Sequence, residues 1–113
     1  MHEVSIMQNA LDLALAQAAQ QGAQRIHWIK LRVGELSGVI PEALILAFEI
    51  VTANTIAADA ELELETVPVI CRCPTCHQDF HPDDWIYICP ICDQLTTELS
   101  QGRELELTSL EVS

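Results

Sequence analysis

Two pairs of cysteines carry the strongest chemical signal in the sequence. They lie at 73–76 (CPTC) and 89–92 (CPIC), with twelve residues between them. Two residues between thiolates allow one tight turn to offer both sulfurs to one ion, and two such turns complete a tetrahedron that suits Zn²⁺. Iron in a rubredoxin-like site is the alternative, because its cysteine pairs have the same spacing. A redox function would need only one pair, so we predict structural zinc on Cys73, Cys76, Cys89 and Cys92.

One further cysteine and two histidines lie near these pairs. Cys71 is expected to be a buried apolar thiol, with a role as a replacement ligand as the alternative. His77 and His81 are expected to lie in solvent rather than to replace a cysteine. His77 and Asp93 each follow a pair, where the backbone often takes a positive φ, and both residue types tolerate that conformation.

The first three residues, Met1, His2 and Glu3, offer a second kind of metal chemistry. A free amine, a deprotonated backbone amide and the His2 imidazole can chelate one ion in fused rings, and the amide or carboxylate of Glu3 can complete four donors. Such a planar, nitrogen-rich set suits Ni²⁺ or Cu²⁺ better than Zn²⁺. The first amides of a helix have no intrahelical acceptor and are free for this role. A frayed end without function is the alternative. Glu35, in the loop after the first predicted strand, is not expected to take part in nickel binding.

The elements that must position these groups follow from apolar periodicity. An amphipathic helix is predicted over 3–21, with Ser5 as its cap and Gly22 at its end. The other predicted elements are a strand at 25–33, a helix at 42–52 after Pro41, a strand at 61–67 with an exposed glutamate face, and a strand at 104–112 with a slip, or bulge, near Thr108.

The composition changes at Pro68. Between Pro68 and Gln101 the chain holds all five cysteines and four of its five prolines. We therefore predict an α+β fold: a small domain of helices and a three-stranded sheet, formed by residues 1–68 and completed by a return strand at 102–113. A zinc-ribbon-like module that contains the four paired cysteines is inserted at 69–101. It is too small to fold without its metal.

The charge of the chain excludes several functions. Five basic residues face 17 acidic ones, for a net charge of −12. Nucleic acid and anionic membranes are therefore poor partners. No apolar run approaches the length of a membrane span, and no secretory signal is visible. We expect a cytoplasmic protein.

Five features of the sequence form a recognisable combination. They are 1–3 (MHE) before a helix, 33–37 (VGELS), 47–49 (AFE), the two cysteine pairs, and 102–105 (GREL). Over essentially the whole chain this combination resembles the HypA/HybF family of hydrogenase nickel-incorporation metallochaperones. The cysteine spacing alone would be generic, but its combination with the N-terminal triplet is specific.

The resemblance implies a carrier rather than an enzyme. It implies nickel bound at Met1, His2 and Glu3 as cargo, zinc on the four paired cysteines, and delivery to the large subunit of a [NiFe] hydrogenase. The implied partner is the hydrogenase-maturation GTPase HypB, and some members of the family also serve urease. The late return strand is compatible with a segment-swapped homodimer. The competing hypotheses are a zinc-ribbon interaction module without nickel and an enzyme, for which no nucleophile–base pair is visible.

Overall fold

The computed structural model describes residues 2–82, 87–95 and 98–113, and for His2 the backbone only. It is a mixed fold of two helices and two small sheets, which confirms the predicted α+β class. In chain order the elements are α1 (His2–Gln20), β1 (Ile26–Gly34), α2 (Pro41–Thr52), β2 (Glu61–Val67), β3 (Ile70–Arg72), β4 (Asp79–Phe80), β5 (Leu99–Gln101) and β6 (Leu105–Val112).

The larger sheet has the strand order β2-β1-β6, with β2 parallel and β6 antiparallel to β1. Apolar residues alternate along β1, and Leu31 pairs with Leu64 on one side and Leu107 on the other. Helices α1 and α2 pack on this apolar face, and we call the whole unit the helix-covered sheet. The buried residues of its apolar core are Met7, Ala10, Leu11, Ala14, Ala18, Ile26, Ile29, Leu31, Val33, Leu44, Ala47, Phe48 and Ala57.

The predicted slip near Thr108 is confirmed as a bulge. Lys30 pairs with Ser109 while Leu31 pairs with Leu107, so Thr108 has no partner residue. The Thr108 hydroxyl instead donates to the carbonyl of Lys30 at 3.3 Å. The extra residue resets the alternation, so that Leu107 and Leu110 both pack against the core although they are three residues apart.

Helix α1 agrees with the predicted span to within one residue at each end, but its predicted cap is wrong. It begins at His2, so Ser5 lies inside the helix and the predicted Ser5 cap is wrong. At the other end Gly22 has a φ of 64°, the amide of Gly22 donates to Ala19, and the amide of Ala23 donates to Ala18. This pair of hydrogen bonds is a Schellman motif, which requires a left-handed residue that glycine supplies without strain.

The smaller sheet, which we call the cysteine sheet, has the order β4-β3-β5. The chain leaves the helix-covered sheet after Val67 and returns to it at Leu105. The molecule is long, at 55 × 27 × 17 Å, and its radius of gyration is 17.6 Å, whereas a compact chain of this length would have about 13 Å. The proposed domain limits, 1–68 with 102–113 and 69–101, stay a prediction.

Among the described residues, neither helix is both long enough and apolar enough to traverse a bilayer.

Candidate metal centre

The four paired cysteines come together at the end of the cysteine sheet. Their sulfur atoms all lie within 4.8 Å of one another. The Cys73 and Cys92 sulfurs are 3.5 Å apart, and the Cys76 and Cys89 sulfurs are 4.0 Å apart. Zinc–sulfur bonds of about 2.3 Å in a tetrahedron place sulfurs about 3.8 Å apart. The donors present therefore fit a structural metal such as zinc.

Each cysteine pair lies in the same kind of loop. The amide of His77 donates to the carbonyl of Cys73, and the amide of Asp93 donates to that of Cys89, both at 2.9 Å. The first cysteine of each pair then donates its own amide to a glutamine carbonyl, Gln78 or Gln94, at 3.0 and 2.9 Å. These closed loops require a left-handed residue after each pair. His77 and Asp93 have φ of 55° and 59°, which confirms the prediction of positive φ there.

A backbone hydrogen bond favours ionisation of the Cys73 sulfur, whereas the neighbouring cysteines disfavour ionisation of Cys76. The amide of Cys76 donates to the Cys73 sulfur at 3.4 Å, and this hydrogen bond lowers the pKa of the Cys73 thiol to about 7. The interaction with Cys92 raises the pKa of the Cys76 thiol to about 12. Thiolates crowded together repel one another, so they do not ionise together unless a cation is present. A divalent metal ion bound by the four sulfurs would supply that cation.

Cys71 is not part of the cluster. It lies in β3, pairs with Phe80 and Leu99, and its side chain is fully buried. Burial raises the pKa of its thiol. The prediction of a buried apolar thiol is therefore confirmed.

The two nearby histidines have different surroundings. His77 is exposed, as predicted. His81 is also exposed, but its Nε2 lies 3.4 Å from a carboxylate oxygen of Glu35. The same oxygen of Glu35 accepts the amide of Val69 at 2.7 Å. Glu35 therefore links the end of β1 to the cysteine region.

Two glycines complete this junction between the sheets. Gly34, at the end of β1, lies so close to Gly102 that a Cβ on Gly34 would overlap the Gly102 carbonyl. The amide of Leu36 donates to that carbonyl at 2.7 Å, and the amide of Gly102 donates to the Glu104 carboxylate at 2.7 Å. The segments 33–37 and 102–105 stood out in the sequence, but nothing in it showed that they meet.

Less is described of the N-terminal triplet. Met1 and the side chain of His2 lie outside the described residues. Glu3 lies in the first turn of α1 and is partly buried. Because the helix begins at His2, the amides of His2, Glu3 and Val4 have no intrahelical acceptor. A nickel site on Met1, His2 and Glu3 stays a prediction.

A comparison with protein families gives the context for both metal predictions. Residues 1–112 match the family model described as hydrogenase/urease nickel incorporation, metallochaperone, hypA. The chain belongs to the HypA family. The resemblance stated from the sequence is thereby confirmed, and with it the assignment to a family of nickel metallochaperones for hydrogenase maturation.

Relatives and solved structures of HypA proteins match over almost the full length. The chain is 47% identical to the hydrogenase maturation factor HypA of Picosynechococcus sp., over 99% of each protein. It is 42% identical to that of Chloroflexus aggregans, over 98% of each. The solution structure of the Ni metallochaperone HypA from Helicobacter pylori matches with a TM-score of 0.69 and 27% identity, over 97% of this chain and 96% of that one. Another HypA solution structure matches with a TM-score of 0.73 at 27% identity, over 100% and 97% of the two chains.

Proposed function

We propose that this chain binds one Ni²⁺ at its N-terminus and delivers it for the maturation of a [NiFe] hydrogenase. The observation that carries the proposal is membership of the HypA family over residues 1–112. The ligands are the amine and backbone of Met1, the backbone amide and imidazole of His2, and a donor from Glu3. The start of α1 at His2 supports this set, because the amides concerned are not used by the helix.

A terminal chelate suits a carrier that must also release its cargo. The positive end of the α1 dipole favours a deprotonated, negatively charged amide at the start of the helix. Protonation of the His2 imidazole removes its lone pair, so nickel is released as the pH falls through the imidazole range, roughly 6 to 7. Cargo that binds at a chain end is also open to attack by ligands of a receiving protein.

The second metal is zinc on Cys73, Cys76, Cys89 and Cys92, and its role is structural. Four thiolates leave no open position for substrate, and the chain acts as a carrier, not an enzyme. The sulfur separations near 3.8 Å support this assignment. Metal analysis of the purified protein distinguishes zinc from the iron alternative.

The remaining proposals concern partners and location. The partners are the maturation GTPase HypB and the large subunit of a [NiFe] hydrogenase, and two copies of the chain form a homodimer. The site of action is the cytoplasm. The names of the two relatives described above, both hydrogenase maturation factors, support the general setting.

A nickel titration by equilibrium dialysis tests the proposal. The zinc-loaded protein with a free Met1 amine should bind about one Ni²⁺ per chain. A form with a short N-terminal extension and a His2→Gln variant should lose this binding. His27→Gln is the matched control, since His27 lies on β1 beside Ser113 and should leave nickel binding unchanged. Equal binding by all four proteins, or by none, would contradict the terminal site and leave the zinc-ribbon interaction module as the function.

A further inference from the structure

Helix α2 has an apolar face that nothing in the described chain covers. Ile45, Leu46 and Ile50 are 49%, 59% and 57% exposed. At 3.6 residues per turn these three share an arc of about 140° with Glu42 and Glu49. We call these five residues the outer face of α2.

This face is not required by the fold. The opposite side of α2 already buries Leu44, Ala47 and Phe48 against the helix-covered sheet. A helix with only one side in the core ordinarily turns polar residues to water. Helix α1 follows that rule over most of its length, with Gln8, Asp12 and other polar residues outside. Grouped aliphatic side chains in solvent mark an interaction surface rather than a packing requirement.

A cleft adjoins the outer face and gives it shape. It has a volume of about 400 Å³ and lies between α2 and the segment that leads into β2. Ile45 and Glu49 line it on the helix side, and Asp59 and Leu62 line it on the other. A large apolar side chain of a partner would fit between them, with carboxylates at the rim.

The charges around this surface define the partner. Glu42, Glu49 and Asp59 are acidic, and α2 contains no lysine or arginine. Lys30 and Arg32 lie on the opposite face of the sheet, where they pair with Glu65 and, for Arg32, Glu106. An apolar stripe with an acidic rim complements an apolar stripe with a basic rim.

We propose that the outer face of α2 and its cleft dock an amphipathic helix of a partner protein whose aliphatic anchors are flanked by lysine or arginine. A second copy of this chain fits poorly, because it would bring Glu42 and Glu49 against equal charges on a chain of net charge −12. An anionic membrane is excluded by the same repulsion. The proposal is independent of both metal sites.

The test uses synthetic peptides and the full metal-loaded chain. The probe is a fluorescent helical peptide with leucines at i, i+3, i+4 and i+7 and lysines beside them. One matched peptide carries glutamate for each lysine, and another has the same composition with the leucines scattered. Only the basic amphipathic peptide should bind, its affinity should fall with salt, and the amide shifts it causes in NMR spectra should centre on α2.

Variants of the chain locate the binding. Leu46→Gln and Ile50→Gln should each weaken it by about tenfold or more, as expected for central apolar anchors, and Glu49→Lys should weaken it and reduce its salt dependence. Leu13→Gln is the matched control, since Leu13 is 60% exposed but lies on α1, and it should bind like the parent. These residues are exposed, so melting temperatures should agree across the set.

Three results would overturn the proposal. The first is that the basic peptide does not bind. The second is that all three peptides bind equally well, or that the Leu46→Gln and Ile50→Gln variants bind the basic peptide as tightly as the parent. The third is a dimer in sedimentation that Leu46→Gln dissociates, which would assign the face to a second copy.

Discussion

The two sheets of this molecule are held together by different means. The helix-covered sheet contains thirteen buried residues between Met7 and Ala57 that form one apolar core. In the cysteine sheet and the loops beside it, Cys71, Cys73 and Cys89 are fully buried and Val69 is 3% exposed, and Cys73 and Cys89 belong to the metal cluster. A hydrophobic core stabilises in proportion to the area it buries, whereas a metal centre stabilises through a few bonds to one ion. The two parts should therefore respond to different perturbations.

The largest effect is expected from loss of a metal ligand. Cys89→Ser should abolish metal binding and unfold the cysteine sheet, because a structural zinc site contributes on the order of 10 kcal/mol to folding. Amides of β3 should lose protection from hydrogen exchange, while those of β1 keep it. Metal analysis and exchange rates measure both parts in one sample.

The matched control for this variant is Cys71→Ala. Cys71 is buried in β3 but does not belong to the cluster, so metal content should stay at that of the parent. Loss of protection in β1 on metal removal would show that the two sheets fold as one unit.

The reverse perturbation removes core volume from the helix-covered sheet. Leu31 is 2% exposed at the centre of β1, and Leu31→Ala should lower the free energy of unfolding by about 2–5 kcal/mol. Denaturant unfolding followed by far-ultraviolet circular dichroism measures this, because both helices belong to this part. Metal content should not change.

Leu46→Ala is the control for the core variant. The Leu46 side chain is 59% exposed, so the substitution should change the free energy of unfolding by no more than about 0.5 kcal/mol. An equal effect of both substitutions would mean that the outer face of α2 is covered in solution.

The junction between the sheets tests how they are coupled. A Cβ on Gly34 would overlap the Gly102 carbonyl. Gly34→Ala should therefore lower the free energy of unfolding by about 3 kcal/mol, because the backbone must be displaced. Gly22→Ala is the comparison, because Gly22 has a positive φ but open space around it. The strain of a positive φ at alanine should by itself lower the free energy of unfolding by about 1 kcal/mol. Equal unfolding midpoints for the two variants would contradict a close approach at the junction.

The sequence predicted the features that depend on neighbours along the chain. Apolar alternation was sufficient for the three strands of the larger sheet and for the bulge at Thr108, but not for the short strands β3, β4 and β5; cysteine spacing was sufficient for the cluster. Residue type after each pair was sufficient for the left-handed turns at His77 and Asp93.

Features that depend on distant contacts were not predicted. The half exposure of Ile45 could not be predicted, because α2 is apolar on nearly all sides and periodicity does not select which side is buried. The contacts of Glu35 with Val69 and His81 join residues more than thirty positions apart. The Ser5 cap was wrong because α1 begins at His2, so that Ser5 lies inside the helix.

The smallest expected effect concerns Glu104, on the cysteine-sheet side of β6. The hydrogen bond from the Gly102 amide holds the pKa of this carboxyl below its ordinary value. A lowered pKa in the folded state means that the ionised form favours folding. Its contribution is fully present above the ordinary pKa and is lost as the pH falls through the folded value. Glu104→Gln should therefore remove part of the acid-induced loss of stability, which urea midpoints over a series of pH values measure. Glu111→Gln, an exposed position on the same strand, should keep the pH dependence of the parent, and identical profiles for the two variants would mean that Glu104 does not couple the junction to pH.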